Sequence, residues 1–180
     1  QFFVRPGTEM DWYATWKETR MKFHQAIGLP ADSLKFHDHD KLAHYANAAV
    51  DIEYKFPFGF KEMEGIHSRT DFDLKSHQEL SKKKQQYFDP EINENYIPYV
   101  VETSVGLDRM FLSVLSSSLR NEVLEDGSER VVLKLPAALA PYKVAVMPLT
   151  KKDGLPELAK EIINELKFDF LCQYDEKDSP

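Results

Sequence analysis

Tyr96-Ile97-Pro98-Tyr99-Val100-Val101-Glu102-Thr103-Ser104-Val105-Gly106-Leu107-Asp108-Arg109-Met110-Phe111-Leu112 carries the chain from an apolar strand, through a polar corner, into a helix. Ile97, Tyr99, Val100 and Val101 supply the strand, and Asp108 and Arg109 fall in the first helical turn. Glu102 and Ser104 stand two apart, so a strand projects both from one face. Gly106 permits close approach to the backbone, a helix start offers free N–H groups, and Arg109 adds a planar donor fork. This is the layout of a binding corner. It also suits an ordinary strand-to-helix turn capped by Ser104 or Thr103, with Arg109 in solvent.

Working outward, Val50, Ile52, Tyr54, Phe56 and Phe58 alternate with polar residues and mark a half-buried antiparallel strand. Gly59 supplies a turn, and Phe60–Arg69 returns as the hairpin partner. Glu62, Glu64 and Ile66 share one face by period two, which presents two carboxylates together. Like charges so placed are usually solvated surface. Upstream, Gln1–Val4 is the end of a strand, Met10–Ile27 a helix, Leu34–Asp40 a short strand and Lys41–Ala49 a helix. Trp12 and Trp16 are packing residues. His37 and His39 share a strand face, a legitimate half of a metal site, but no third ligand follows at a telling spacing. Solvated or hydrogen-bonded histidines are the plainer expectation.

Asp71–Ser81 is a turn into a short polar helix, and Lys82-Lys83-Lys84 is either a solvated face or a basic patch for a nucleic-acid backbone. Gln85–Asn95 is strand and loop punctuated by Asp89-Pro90. After the corner, Met110, Phe111, Val114, Leu115 and Leu119 predict a helical core stripe ending near Val123. Ser116, Ser117 and Ser118 lie inside it without an evident role. Glu125–Glu129 is a turn, and Arg130–Leu135 a strand returning to the main sheet. Pro136 and Pro141 bracket a hinge, which divides the chain into 1–135 and 136–180. Beyond it, Val144–Met147, an amphipathic helix over Leu155–Leu166 and Phe168–Tyr174 make a βαβ unit with parallel strands, too short to complete an α/β domain.

With 42% hydrophobic and 29% charged residues the chain can bury a core. No apolar run is long enough to span a membrane, and the N-terminus lacks signal-peptide order, which predicts a cytoplasmic protein. Cys172 is the single cysteine, so neither an intrachain disulfide nor an all-cysteine metal site can form. A net charge of −7 argues against non-specific nucleic-acid binding as the main activity, though a local basic strip can act within an acidic chain.

Glu102-Thr103-Ser104-Val105-Gly106-Leu107-Asp108-Arg109 resembles motif 3 of class II aminoacyl-tRNA synthetases, and among them the α2-dimer glycyl-tRNA synthetases, which read Glu-Pro-Ser-x-Gly-x-Asp-Arg. Thr103 replaces the usual proline. Three further blocks match in order: Phe2-Phe3-Val4-Arg5-Pro6-Gly7 resembles the tail of motif 2, Glu62–Leu74 a Glu-Leu-x-Gly-Ile-Ala-x-Arg-Thr-Asp-Tyr-Asp-Leu block, and Leu139–Leu149 the start of the anticodon-binding domain. His67-Ser68 depart from the usual Ala-Asn or Ala-His.

The resemblance implies an α+β fold: the C-terminal half of an antiparallel-sheet catalytic domain, then the beginning of an α/β anticodon-binding domain. It implies activation of glycine with ATP and transfer to tRNA(Gly). Glu62, Met63, Gly106, Leu107, Asp108 and Arg109 would face ATP; Glu102, Thr103, Ser104, Val105, Gly106 and Arg69 would form the glycine site. Glu62 would carry Mg²⁺, and a homodimer is implied for the full-length enzyme. Motif 1 and the motif 2 loop are absent from this sequence, so the chain alone is not expected to charge tRNA. The rival expectations are a non-catalytic synthetase-like binding module and a class II synthetase for another small amino acid.

Overall fold

The computed structural model describes residues 1–176 and divides into two compact units, the second beginning at Leu135. In the first unit the order is β1 (Phe2–Val4), α1 (Glu9–Ala26), β2 (Leu34–Asp38), β3 (Ala48–Phe56), β4 (Gly59–Thr70), α2 (Phe72–Ser81), β5 (Tyr87–Asp89), β6 (Glu94–Tyr96), β7 (Tyr99–Val105), α3 (Leu107–Ser118), β8 (Leu119–Val123) and β9 (Glu129–Leu133). One antiparallel sheet runs β1-β7-β4-β3-β2, while β5-β6 and β8-β9 are separate hairpins.

The alternation on β3 does what the sequence predicts as far as Phe56; Phe58, expected to continue it, lies in the turn beyond the strand and is 65% exposed. Val50, Ile52, Tyr54 and Phe56 are buried and join Met63, Ile66, Leu34, Leu29 and Tyr13 in one core, with Trp16, Met21, Ile27 and Val114 packed around it. Helix α1 covers this face of the sheet. Phe2 stacks its edge near both tryptophans, at 4.7 Å from Trp12 and 5.5 Å from Trp16. The opposite face takes the alternate residues: Lys35, His37, Asp51, Glu53, Gly65, His67, Glu102 and Ser104, brought level by the strand register.

Several expectations need correction. Ile52 pairs with Glu64 and Glu53 with Glu62, which leaves Met63 as an extra residue in β4. That bulge reverses the alternation, so Glu62 and Glu64 lie on opposite faces and do not form a pair of carboxylates. Residues 41–47 are not helical. Only Ala46 N–H reaches back, to Ala43 O at 3.0 Å, and Asn47 N–H is instead taken by Ser68 O at 3.0 Å. His44 and Tyr45 pack on Phe72, at 5.0 and 6.2 Å between ring centroids, and these anchored side chains hold the segment to α2.

Helix α3 stops at Ser118 rather than near Val123, and its buried side chains are Ser113, Ser117 and Ser118. Of the expected stripe Val114 packs against the core, but Phe111 is 64% exposed and Leu119 57%, so these two are not on the buried face. The small serines are: they let the helix lie against β3, with Ser113 and Ser117 hydroxyls returning bonds to Arg109 O at 2.7 Å and Val114 O at 3.1 Å. Leu119–Val123 is captured by Glu129–Leu133, and Lys134 N–H closes the hairpin onto Ser118 O at 2.7 Å. Strand β9 therefore pairs with β8 and not with the main sheet.

In the second unit β10 (Val144–Val146) and β11 (Cys172–Tyr174) pair in parallel across α4 (Leu155–Leu166). The βαβ reading holds, though the second strand is shorter than expected because Phe168–Phe170 still turns off the helix end, with Phe170 N–H bonded to Leu166 O at 2.9 Å. Lys143 Nζ donates to Ala137, Ala138 and Ala140 carbonyls at 2.6–2.9 Å and ties the Pro136–Pro141 segment down.

Candidate functional site

Antiparallel pairing brings the central strand of the corner, β7, against β4 with Glu102 opposite His67 and Ser104 opposite Gly65. Glu102 and Ser104 thus share the polar face, as their spacing predicts. Thr103 and Val105 alternate to the other face, so only their main-chain groups are available on this one. A second β4 irregularity, between Ser68 and Thr70, falls at Arg69 and re-aims it. Its Nε and NH2 donate to Asp73 at 2.7 and 3.2 Å, and its NH1 donates to Glu102 Oε1 at 3.1 Å. The guanidinium also lies 4.2 Å from the Tyr45 ring centroid. The hydrogen bond from Arg69 holds the Asp73 carboxyl below its ordinary value. Gln1 Nε2 donates to the other Glu102 oxygen at 3.0 Å.

Gly65 makes room for a neighbour. A Cβ at this position would stand 2.9 Å from His67 Cε1, so the imidazole leans over the glycine toward the Ser104 row. His39 meets the same ring edge-on at 5.9 Å and is itself held by Asp51, 2.9 Å from its Nε2. Burial pushes the His67 imidazole below its ordinary value, although the Glu102 charge pulls the other way. His37 takes its own carboxylate, Glu53, at 3.2 Å. No group of three or more His, Cys, Asp or Glu side chains able to hold a metal occurs among the described residues.

Where β7 turns into α3, Gly106 N–H donates to Met63 O at 3.2 Å and Met110 N–H to Gly106 O at 2.9 Å. Gly106 has ordinary extended geometry, φ −77°. A Cβ there would make plain contact with the Arg109 stem at 3.6 Å, so its value lies in an open approach and not in backbone strain. Arg109 NH1 donates to the Glu62 carbonyl at 2.8 Å and meets the Glu62 carboxylate at 3.2 Å. Leu107 and Asp108 are exposed on the first turn, beside the free N–H groups of a helix start. The Met63 side chain is in the core, which leaves its carbonyl at the corner. Phe56, Phe58, Lys61, Glu62, Arg109 and Leu112 line an adjoining cleft of about 340 Å³, with the two phenylalanine rings stacked at 5.1 Å. For Mg²⁺ the protein offers one carboxylate, Glu62, already neutralised by Arg109. These residues do not compose a magnesium site by themselves.

Beneath the sheet lies a group that the sequence does not disclose. Glu64 is fully buried and accepts from Arg20 Nε at 2.6 Å, Arg20 NH2 at 3.1 Å and His24 Nε2 at 2.6 Å. A carboxylate only accepts, so the His24 proton toward it sits on Nε2. Burial alone would raise the Glu64 pKa, but the hydrogen bonds from His24 and Arg20 and the Arg20 charge outweigh it and lower it. Arg20 and His24 lie four apart on α1, the one clue available in advance.

A five-stranded antiparallel sheet with a motif-bearing strand running into a helix defines the class. The fold matches Giardia lamblia prolyl-tRNA synthetase in complex with prolyl-adenylate, with a TM-score of 0.61 over 98% of this chain and 34% of that one, at 13% identity. It is the fold of a class II aminoacyl-tRNA synthetase. Sequence narrows this further: the chain is 49% identical over 177 residues to the glycine–tRNA ligase of Chlorobaculum tepidum, 49% over 181 residues to that of Borrelia hermsii and 46% over 181 residues to that of Bacillus cereus. These matches cover 98–99% of this chain and 37–41% of the relatives, so the chain spans about two-fifths of their length. The chain is a homologue of a segment of the glycine–tRNA ligases. No family model matches it. No helix among the described residues is long and apolar enough to cross a membrane.

Proposed function

We propose that this chain is the part of a glycine–tRNA ligase that seats glycine and one end of ATP. The reaction joins the glycine carboxylate to the α-phosphate with release of pyrophosphate, then passes glycyl to a hydroxyl of the terminal ribose of tRNA(Gly) with release of AMP. The observation that carries the reading is the 45–49% identity to glycine–tRNA ligases along nearly the whole chain. In this reading Glu102 takes the substrate ammonium, displacing Gln1 as donor, while Arg69 keeps the carboxylate turned to the site. Ser104 and the main chain of Thr103, Val105 and Gly106 complete the glycine seat.

Arg69 has its outer edge filled by Asp73. We therefore assign it to orienting Glu102 rather than to clamping the glycine carboxylate. Arg109, with Gly106, Leu107 and Asp108 and the Glu62-Met63 corner, receives ATP; its fork and the helix start offer donors for developing phosphate charge. The catalysis is positioning and charge stabilisation, with no covalent enzyme intermediate. Mg²⁺ belongs to this reading only as a companion of the nucleotide phosphates; Glu62, already paired with Arg109, is not assigned to hold it. Lys82, Lys83 and Lys84, exposed after α2, are assigned to the tRNA backbone. A homodimer in the cytoplasm is the form we propose for the full-length enzyme. ATP–pyrophosphate exchange by that enzyme tests the reading: stimulation by glycine supports it, and exchange stimulated only by another amino acid refutes it.

A further inference from the structure

On the reading of the chain as part of a glycine–tRNA ligase, we propose that the cleft between β1 and the β5-β6 hairpin seats an unpaired base at the 3′ end of the tRNA. Two adjoining cavities, of about 460 and 290 Å³, share Phe3, Tyr87 and Pro98 as walls. Arg5 and Tyr96 complete the larger one, and Lys84 lies on the smaller. Phe3 is 53% exposed and Tyr87 52%, so flat aromatic faces stand open to solvent here instead of filling a core. Tyr87 and Tyr96 are cross-strand partners with ring centroids 5.8 Å apart, and Tyr96 Oη donates to Asp89 at 3.4 Å within the same hairpin. The hairpin thus holds its own wall in place.

The charges select the occupant. The chain carries −7, yet the side chains of Arg5 and Lys84 make no hydrogen bond or ion pair among the described residues. A free cation on each cavity with aromatic faces between them is the combination that holds single-stranded nucleic acid: rings stack on a base and cations meet the flanking phosphates. Position selects the part of the RNA. Phe3 is opposite Val100 on β7, and Val100 shares its face with Glu102 and Ser104. Along β7 the cleft beside Pro98 comes first, the glycine seat at Glu102 and Ser104 second, and the ATP corner at Gly106 last. With ATP at one end of the strand, the acceptor ribose reaches glycine from the other, where the cleft stands.

The test uses the full-length enzyme and measures its Kd for tRNA(Gly) and for the same tRNA trimmed of its unpaired 3′ nucleotides. Glycine-dependent ATP–pyrophosphate exchange, which involves no tRNA, reports folding. Tyr87→Ala is expected to weaken binding of intact tRNA by roughly 5- to 150-fold, the range for one base stacked on an aromatic side chain, and to bind trimmed tRNA as wild type does. Tyr87→Phe keeps the ring and should keep most of the affinity. Arg5→Gln and Lys84→Gln should each weaken binding of intact tRNA and make it less sensitive to salt, since each removes a phosphate contact. A Tyr87→Ala enzyme with normal exchange and unaltered affinity for intact tRNA overturns the proposal, the result expected if another segment of the enzyme fills the cleft. Equal losses toward intact and trimmed tRNA overturn it as well. Should Tyr87→Ala abolish exchange, Arg5→Gln decides by the same comparison. A wild-type enzyme without glycine-dependent exchange refutes the glycine reading, while the intact and trimmed tRNA affinities still test the cleft.

Discussion

Arg69 holds Glu102 by a single hydrogen bond of 3.1 Å while Asp73 occupies the rest of its fork. The carboxylate on β7 is thereby turned by a guanidinium on β4 that is itself fixed from α2. Asp73→Asn keeps the shape and removes the charge that orients the fork. A charge-assisted hydrogen bond contributes about 1.5–3 kcal/mol, so glycine kcat/KM should fall on the order of 10-fold or more. The ATP KM, measured beside it, should change little. Equal losses toward both substrates would show a general folding defect instead.

Arg109→Lys keeps the charge and loses the planar donor set. Its two contacts to Glu62, one to the carbonyl and one to the carboxylate, cannot both be made by an ammonium of that reach and geometry. The expected loss is in ATP kcat/KM, with glycine KM nearly constant. Steady-state exchange kinetics with each substrate varied in turn decide it; unaltered ATP kinetics would remove Arg109 from the nucleotide site.

Glu64 anchors α1 to the sheet through Arg20 and His24. Removing one member of such a buried group leaves charge without a partner, and Glu64→Ala should cost about 3–5 kcal/mol. Urea titration measures this. A loss under about 1 kcal/mol, typical of surface pairs, contradicts the account.

The same group predicts an acid response. The Glu64 pKa in the fold lies below its ordinary value of 4.5, so its contribution to stability is fully present above that value. It is lost as pH falls through the depressed folded-state pKa. Glu64→Gln should flatten the stability profile in that acid window and leave its shape above about pH 5 alike. A variant with the same acid slope as wild type would place the titration elsewhere.

The period-two run from Val50 to Phe56 makes the central strand legible, and the two-residue spacing of Glu102 and Ser104 makes their common face legible. What alternation does not disclose is a bulge: the extra residue at Met63 separates Glu62 from Glu64 through the backbone, with no change in side-chain pattern. The α3 face misleads for a related reason. Apolar Phe111 and Leu119 look like core, but they are exposed, and the helix buries Ser113, Ser117 and Ser118 instead while Val114 packs against the core. Local propensity suggests a helix over 41–49, where contacts of His44 and Tyr45 with the distant Phe72 override it. Asp73, Gln1 and Tyr45 join the site unannounced because their partners, Arg69 and Glu102, are remote in sequence or lie across a turn.

Glu102→Gln in the full-length enzyme tests the central claim most directly. The variant keeps the shape of the side chain, its place opposite His67 and a hydrogen bond to Arg69, and removes only the charge that would hold an ammonium. If Glu102 receives the glycine ammonium, glycine kcat/KM in ATP–pyrophosphate exchange falls by roughly 10- to 150-fold, corresponding to about 1.5–3 kcal/mol, at unchanged thermal stability. A folded Glu102→Gln enzyme within about 0.5 kcal/mol of wild type in that measurement, the ordinary range for a surface substitution, would contradict the account.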